Sequence, residues 1–243
     1  MCIIIAKKKN CKVPSIRTFE NAMNRNRDGF AITLKNTLTK KWVTKKTTNR
    51  SDMLNFLTEC KIWKHPETMF VFHARLATHG KVCVENCHCW EDWNSGIVFA
   101  HNGVLPISVP EGGTDSEYYF RKVFMPIYYQ KGWKAALETL EMFSTQRFAL
   151  VQKKRNAFPI TIIGNYIERD GVFYSNESAF EPKYEKQYFS PWLGTDVDDK
   201  WSPTKSTWVE PSWGSQTSET SAESNAAYWV NKATSFGQKH NQG

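Results

Sequence analysis

The chain opens Met1-Cys2-Ile3-Ile4-Ile5-Ala6, a β-branched apolar run that suits a strand buried on both faces. Because this strand starts at the second residue, the fold must hold the chain terminus in place. Lys7, Lys8 and Lys9 follow at once, so the run is too short for a signal peptide and lies on the wrong side of its charges. No later stretch approaches the roughly eighteen apolar residues of a membrane span. The expectation is a cytoplasmic protein, in the host cytoplasm if phage-encoded, whose six cysteines are reduced.

A chain of 243 residues with 40% hydrophobic side chains can bury a large core without disulfides. After the opening strand, the pattern predicts a short helix over 17–26 and a strand over 30–34 after the Asp28-Gly29 turn, with 41–44 as a pairing third. Ser51 is expected to cap a helix over 52–63 with Met53, Leu54, Leu57 and Cys60 on one face. Strands follow at 68–74 and 97–100, the second entering a sharp His101-Asn102-Gly103 turn. Thr114 with Glu117 three residues on has the form of a capping box, a helix is expected over 135–143 and a strand over 148–151. Strands at 160–164 and 171–175 are expected to flank the turn at Arg169-Asp170-Gly171.

From about residue 188 the texture changes, and 202–225 is rich in Ser, Thr, Glu and Pro without an apolar period. The expected division is a domain over 2–188 and a polar, largely flexible tail over 189–243 whose tryptophans can dock a short motif. Charge is uneven: 15 basic against 4 acidic residues in 1–64, 13 against 14 in 65–187, and 4 against 6 in 188–243. A basic first quarter can meet nucleic acid or an acidic partner, but runs such as Lys7-Lys8-Lys9 more often mean solvated loops or strand edges.

A second-position cysteine has a particular chemical opportunity. Its small side chain permits removal of Met1, after which one residue carries a thiol and a free α-amine. The amine can take the thiol proton and later return a proton to a leaving group, so no histidine base is required. A bare Met-Cys start says little, but three polar clusters follow. In His73-Ala74-Arg75-Leu76-Ala77-Thr78-His79-Gly80, Arg75 can clamp a carboxylate. In His101-Asn102-Gly103, the Asn102 amide and the Gly103 N–H suit an oxyanion hole. In Gly112-Gly113-Thr114-Asp115-Ser116-Glu117, Asp115 can hold an ammonium. Singly these are an ion pair, a common turn and a helix cap. Together they fit an α-amino acid whose side-chain amide reaches a nucleophile facing two donors, which describes glutamine.

These stretches, with Asn26-Arg27-Asp28-Gly29-Phe30 and Glu85-Asn86-Cys87-His88, fall in the order found in the class II glutamine amidotransferase domain, which the chain resembles over roughly residues 2–180. The resemblance implies an α+β fold, the four-layer α-β-β-α sandwich of the N-terminal nucleophile hydrolases. It implies Cys2 as nucleophile, Arg75 for the glutamine α-carboxylate, Asp115 for the α-ammonium, and Asn102 with Gly103 as the oxyanion hole. Thr78 and His79 would shape the pocket. The implied reaction is L-glutamine to L-glutamate plus ammonia through a γ-glutamyl thioester, with no cofactor and no metal. The five central residues would converge on one pocket large enough for glutamine.

Three departures stand out: Ala31 where the family has glycine, His88-Cys89-Trp90 in place of His-Pro-Phe, which leaves that loop less stiff, and a short span between Gly103 and Asp115. Some sixty residues after 180 are too few and too polar for the ammonia-consuming domain that family members carry, so the expected partner is a separate synthase. Small stand-alone relatives of bacteria and their viruses offer an analogy but do not select the acceptor. Two other readings use the same residues: a hydrolase of another γ-glutamyl or small linear amide, and a non-catalytic binding protein. The crowded His79, Cys83, Cys87, His88 and Cys89 lack the paired spacing of a structural zinc site and read as buried thiols.

Overall fold

The computed structural model describes residues 1–155 and 159–180. In chain order its first half contains β1 (Ile3–Lys7), α1 (Ile16–Arg25), β2 (Phe30–Lys35), β3 (Trp42–Thr47), α2 (Arg50–Glu59), β4 (Phe70–Ala74), β5 (Trp90–Asp92) and β6 (Ile97–Asn102). There follow α3 (Asp115–Tyr119), a π-helical turn at Phe120–Phe124, α4 (Met125–Glu141), β7 (Arg147–Gln152), β8 (Ile160–Ile163), β9 (Ile167–Arg169) and β10 (Val172–Tyr174). The tail expected from residue 189, with its tryptophans, lies outside the described residues.

Two antiparallel sheets organise the chain, one in the order β3-β2-β4-β1-β10-β9 and one in the order β5-β6-β7-β8. Central placement explains why the opening run does not alternate: β1 pairs with β4 on one side and β10 on the other, Ile5 lying opposite both Phe72 and Tyr174. The strand also runs one residue past the apolar stretch. Lys7 is wholly buried, its Nζ donating to Thr68 O at 2.7 Å and to Pro66 O, and burial pulls its pKa down to about 8. The expectation of a solvated lysine run fails there, because backbone carbonyls replace water around the ammonium.

Helix boundaries follow local chemistry. Asn49, not Ser51, caps α2, its Oδ1 accepting from Asp52 N at 3.1 Å, and Lys61 at φ 48° stops the chain from continuing helically to Trp63. Thr114 caps α3 by accepting from Glu117 N at 3.2 Å. The reciprocal half of a capping box is missing because Glu117 instead pairs with Arg121 at 2.8 Å. The last helix begins ten residues before Ala135, at Met125, and Gly132 at φ 84° interrupts it, so the periodic stretch seen in the sequence is only its second half. Two three-residue strands, β5 and β9, are too short to show a period. The partner of β10 across the Asp170-Gly171 turn is β9, and β8 belongs to the other sheet. Both turn residues have positive φ, 53° and 75°, as a two-residue hairpin of this hand requires.

Three apolar clusters hold these elements. Phe19, Met23, Met53 and Leu57 of the first two helices pack on Ile3, Ile5 and Phe72. Tyr119, Phe120, Phe124 and Leu140 pack on Phe99 and Phe148. Between the sheets, Ile4, Ala6, Ala31 and Val71 meet Val98, Ala100, Ala149 and Val151. Ala31 is thus accommodated in a layer that also holds Ala6, Ala100 and Ala149.

Strand parity then places the polar groups. Opposed residues of an antiparallel pair share a face and alternate residues repeat it. Ile4 lies opposite His73, so His73 shares the inter-sheet face, and parity carried one residue beyond the strand ends puts Cys2 and Arg75 there as well. On β6 the same face carries Val98 and Ala100, hence Asn102, whereas His101 points with Phe99 toward the helical cluster.

Candidate active site

Cys2 is nine-tenths buried at the mouth of the inter-sheet space, its Sγ 3.6 Å from the Leu76 carbonyl. Burial raises the thiol pKa, against the lowering pull of the Leu76 contact, the terminal ammonium and Arg75. Side-chain amides fix the backbone on either side. Asn176 Nδ2 donates to Cys2 O at 2.8 Å, and Asn26 Nδ2 reaches both Met1 O and Ala74 O at 3.0 Å. Ile4 N donates to Ser175 Oγ at 2.8 Å. Sequence reasoning noted the Asn26 stretch without assigning it a role. It missed Ser175 and Asn176, which lie about 170 residues from their partners and carry no local signal.

Of the seven residues singled out from the sequence, six line one pocket: Cys2, Arg75, Thr78, His79, Gly103 and Asp115. His88, not singled out for the site, joins them. Asn102 is fully buried behind this wall, its amide nitrogen 2.9 Å from Ser175 Oγ and its amide oxygen without a partner among the described residues. Gly103 is needed on two counts. Its φ of 153° is one that L side chains rarely adopt, and a Cβ there would lie 1.5 Å from Gln146 Oε1.

The pocket is partly open but tight. It has about 10 Å³ of room, enough for roughly one water, so the expectation of a ready glutamine-sized cavity is not met. The cause is visible at Arg75, which is 2% exposed. Its guanidinium donates to His79 O at 2.7 Å, Lys81 O at 2.8 Å and Gly80 O at 3.4 Å, tying the 76–81 loop down. Asp115 is likewise engaged, accepting from Leu105 N at 2.6 Å and from Ser116 Oγ at 3.2 Å.

Behind the thiol sit three buried, neutral histidines. His73 Nε2 lies 3.2 Å from the His101 carbonyl and must carry the proton, which leaves Nδ1 as a buried acceptor without a partner among the described residues. His88 Nδ1 accepts from His101 N at 3.2 Å, so its proton is on Nε2. Burial depresses the pKa of His73 to about 3, that of His101 to about 4 and that of His88 well below its ordinary value. His88 stacks on His73 at 3.7 Å and tilts against Trp90 at 4.3 Å. The stretch without proline is packed by these rings and by the His101 amide.

Cys2, His73 and His88 place one donor atom each within 4.8 Å of one another. The lone pair of His88 is already taken by the His101 N–H, so a cation there would have to displace that bond. Cys87 and Cys89 instead give their thiols to backbone carbonyls of Cys83 and Val71, as core cysteines do.

Comparison with known proteins bears directly on this arrangement. The family model described as "Glutamine amidotransferases class-II" matches residues 5–152, more than half of the chain. The chain belongs to the class II glutamine amidotransferases. A solved structure similar to it is the glutamine phosphoribosylpyrophosphate amidotransferase from B. subtilis complexed with ADP and GMP, at 16% identity and a TM-score of 0.48. That alignment covers 74% of this chain and 42% of the other, so this amidotransferase chain spans less than half the length of that protein. No curated protein matches it. The family match starts just after Cys2, and the thiol's place in the pocket comes from the structure alone.

Proposed function

We propose that this amidotransferase chain hydrolyses the side-chain amide of L-glutamine, with Cys2 as nucleophile once Met1 has been removed. The observation that carries the reading is the presence of the Cys2 thiol, the Arg75 guanidinium and the Asp115 carboxylate in the wall of one pocket. A cation and an anion beside a thiol match the carboxylate and ammonium of an amino acid whose side chain points at sulfur.

In this reading the freed α-amine of Cys2 takes the thiol proton and the thiolate attacks the amide carbon. The Gly103 N–H and the Asn102 amide stabilise the resulting oxyanion. The amine then gives the proton to the leaving nitrogen, the C–N bond breaks, and ammonia departs from a γ-glutamyl thioester. Water adds to the thioester, the C–S bond breaks, and glutamate leaves with the thiol restored. Arg75 exchanges loop carbonyls for the substrate α-carboxylate, so loop 76–81 must lift before glutamine enters. Asp115 holds the α-ammonium, and Thr78 and His79 shape the pocket.

We read the layering as α-β-β-α, with the first two helices outside one sheet and the last two outside the other. The domain is taken to span 2–188 and the tail 189–243, in the cytoplasm, with ammonia passed to a separate synthase. No helix among the described residues is long and apolar enough to cross a membrane. The test is ammonia and glutamate release from L-glutamine, with intact mass recorded on the same sample and Cys2→Ala alongside. Turnover by the Met1-free chain and none by the variant is the expected result. Equal turnover by the variant would remove Cys2 from its role.

A further inference from the structure

We propose that Ser175 is a positioning residue that decides which end of the Asn102 amide is presented to the oxyanion. The inference rests on Asn102 acting as an oxyanion donor, as in the proposed function.

The argument is one of hydrogen-bond valence. The Ser175 hydroxyl lies 2.8 Å from Ile4 N and 2.9 Å from one end of the Asn102 amide, and it is 1% exposed. Ile4 N–H can only donate, so the hydroxyl accepts from it. This leaves Ser175 with one lone pair and one proton. If the amide nitrogen faces Ser175, the hydroxyl accepts twice, its own proton has no acceptor among the described residues, and the amide oxygen is buried without a partner. Turning the amide over leaves its shape nearly unchanged and repairs both faults at Ser175. The hydroxyl then donates to the amide oxygen while still accepting from Ile4 N–H.

The group left without a partner is now the amide NH2, on the inter-sheet face beside Gly103. A buried donor lacking an acceptor is costly at rest and is satisfied when an oxyanion forms. In the opposite orientation a carbonyl oxygen would face the developing negative charge. The same hydroxyl also fixes Ile4, two residues from the nucleophile, so one side chain at the end of β10 ties the nucleophile strand to the oxyanion donor.

The test uses the Met1-free full chain with Ser175→Ala, Asn102→Ala and the double variant. Ser175→Ala is expected to lower kcat by about 10- to 100-fold, within the effect of losing one oxyanion donor, and to leave KM nearly unchanged. A γ-aldehyde analogue of glutamine, which adds to the thiol to give a tetrahedral oxyanion, should bind more weakly by the same factor. Iodoacetamide, whose reaction with the thiol forms no such oxyanion, should alkylate Cys2 at the parent rate. The double variant should be no slower than Asn102→Ala alone.

Parent kcat in Ser175→Ala with a large loss in Asn102→Ala overturns the role of Ser175 and leaves Asn102 in place. Parent kcat in Asn102→Ala removes the underlying reading instead. Equal losses in turnover and alkylation mark Ser175 as merely structural and overturn the proposal. If Ser175→Ala does not fold, Ser175→Thr, which keeps the hydroxyl, must outperform Ser175→Cys, a weak donor of similar size; the reverse order overturns it.

Discussion

Acidification is expected to destabilise this protein in large part through three buried histidines. His73, His88 and His101 are held neutral by burial, the first at about 3 and the third at about 4, against an ordinary value of 6.5. Since the folded state binds fewer protons than the unfolded state, the stability of the neutral rings is complete above the ordinary value. It is lost progressively as pH falls from 6.5 toward 3. Between about pH 7.5 and pH 5.5 His73 and His101 each give up on the order of 1 kcal/mol of this stability, and His88, depressed in the same direction by its burial, adds to the loss. Together this is a sizeable part of the roughly 5–15 kcal/mol that stabilises a typical domain. Urea denaturation followed by tryptophan fluorescence at several pH values measures it, and His73→Gln should lower the pH dependence. A midpoint that does not move between these two pH values would refute the reasoning.

The site supports further predictions. Gly103→Ala must displace Gln146 from its 3.1 Å contact with His101 Nε2 and strain a backbone at φ 153°, so a loss of about 1–3 kcal/mol in urea denaturation is expected and a change under about 0.5 would contradict it. Arg75→Lys cannot span the carbonyls of His79 and Lys81, so KM for glutamine should rise about ten- to hundred-fold as one charge-assisted bond is lost, and protease should cut the 76–81 loop faster. An unchanged cutting rate would show that Arg75 does not hold the loop down. Alkylation of Cys2 in chain retaining Met1 should titrate above the ordinary thiol value of 9.0, because burial outweighs the positive groups nearby. A midpoint below 9.0 would show that the charges win.

Local chemistry was enough to read the central strands and most of the pocket wall. A β-branched run, an Asp-Gly turn and a threonine cap act within a few residues, and strands β1, β2, β4 and β6 appear close to where those signals put them. The order of the polar clusters was enough to bring Cys2, Arg75, Gly103 and Asp115 into consideration, and they meet in one pocket. Short strands, the true cap of α2 and the burial of Lys7 escaped, since each depends on the elements packed alongside rather than on the adjacent residues of the chain.

Local pattern alone was thus enough for most of the longer strands and for the choice of side chains with the chemistry of a thiol-centred amide site. Packing of the elements against one another set how those side chains are engaged: Arg75 donating to its own loop, three histidines held neutral, and Ser175 and Asn176 brought from the far end of the described chain to the first strand. The physical reason is that donor and acceptor valence is a property of each residue. Which valences are filled depends on sheet register and burial, and these join residues up to 174 positions apart.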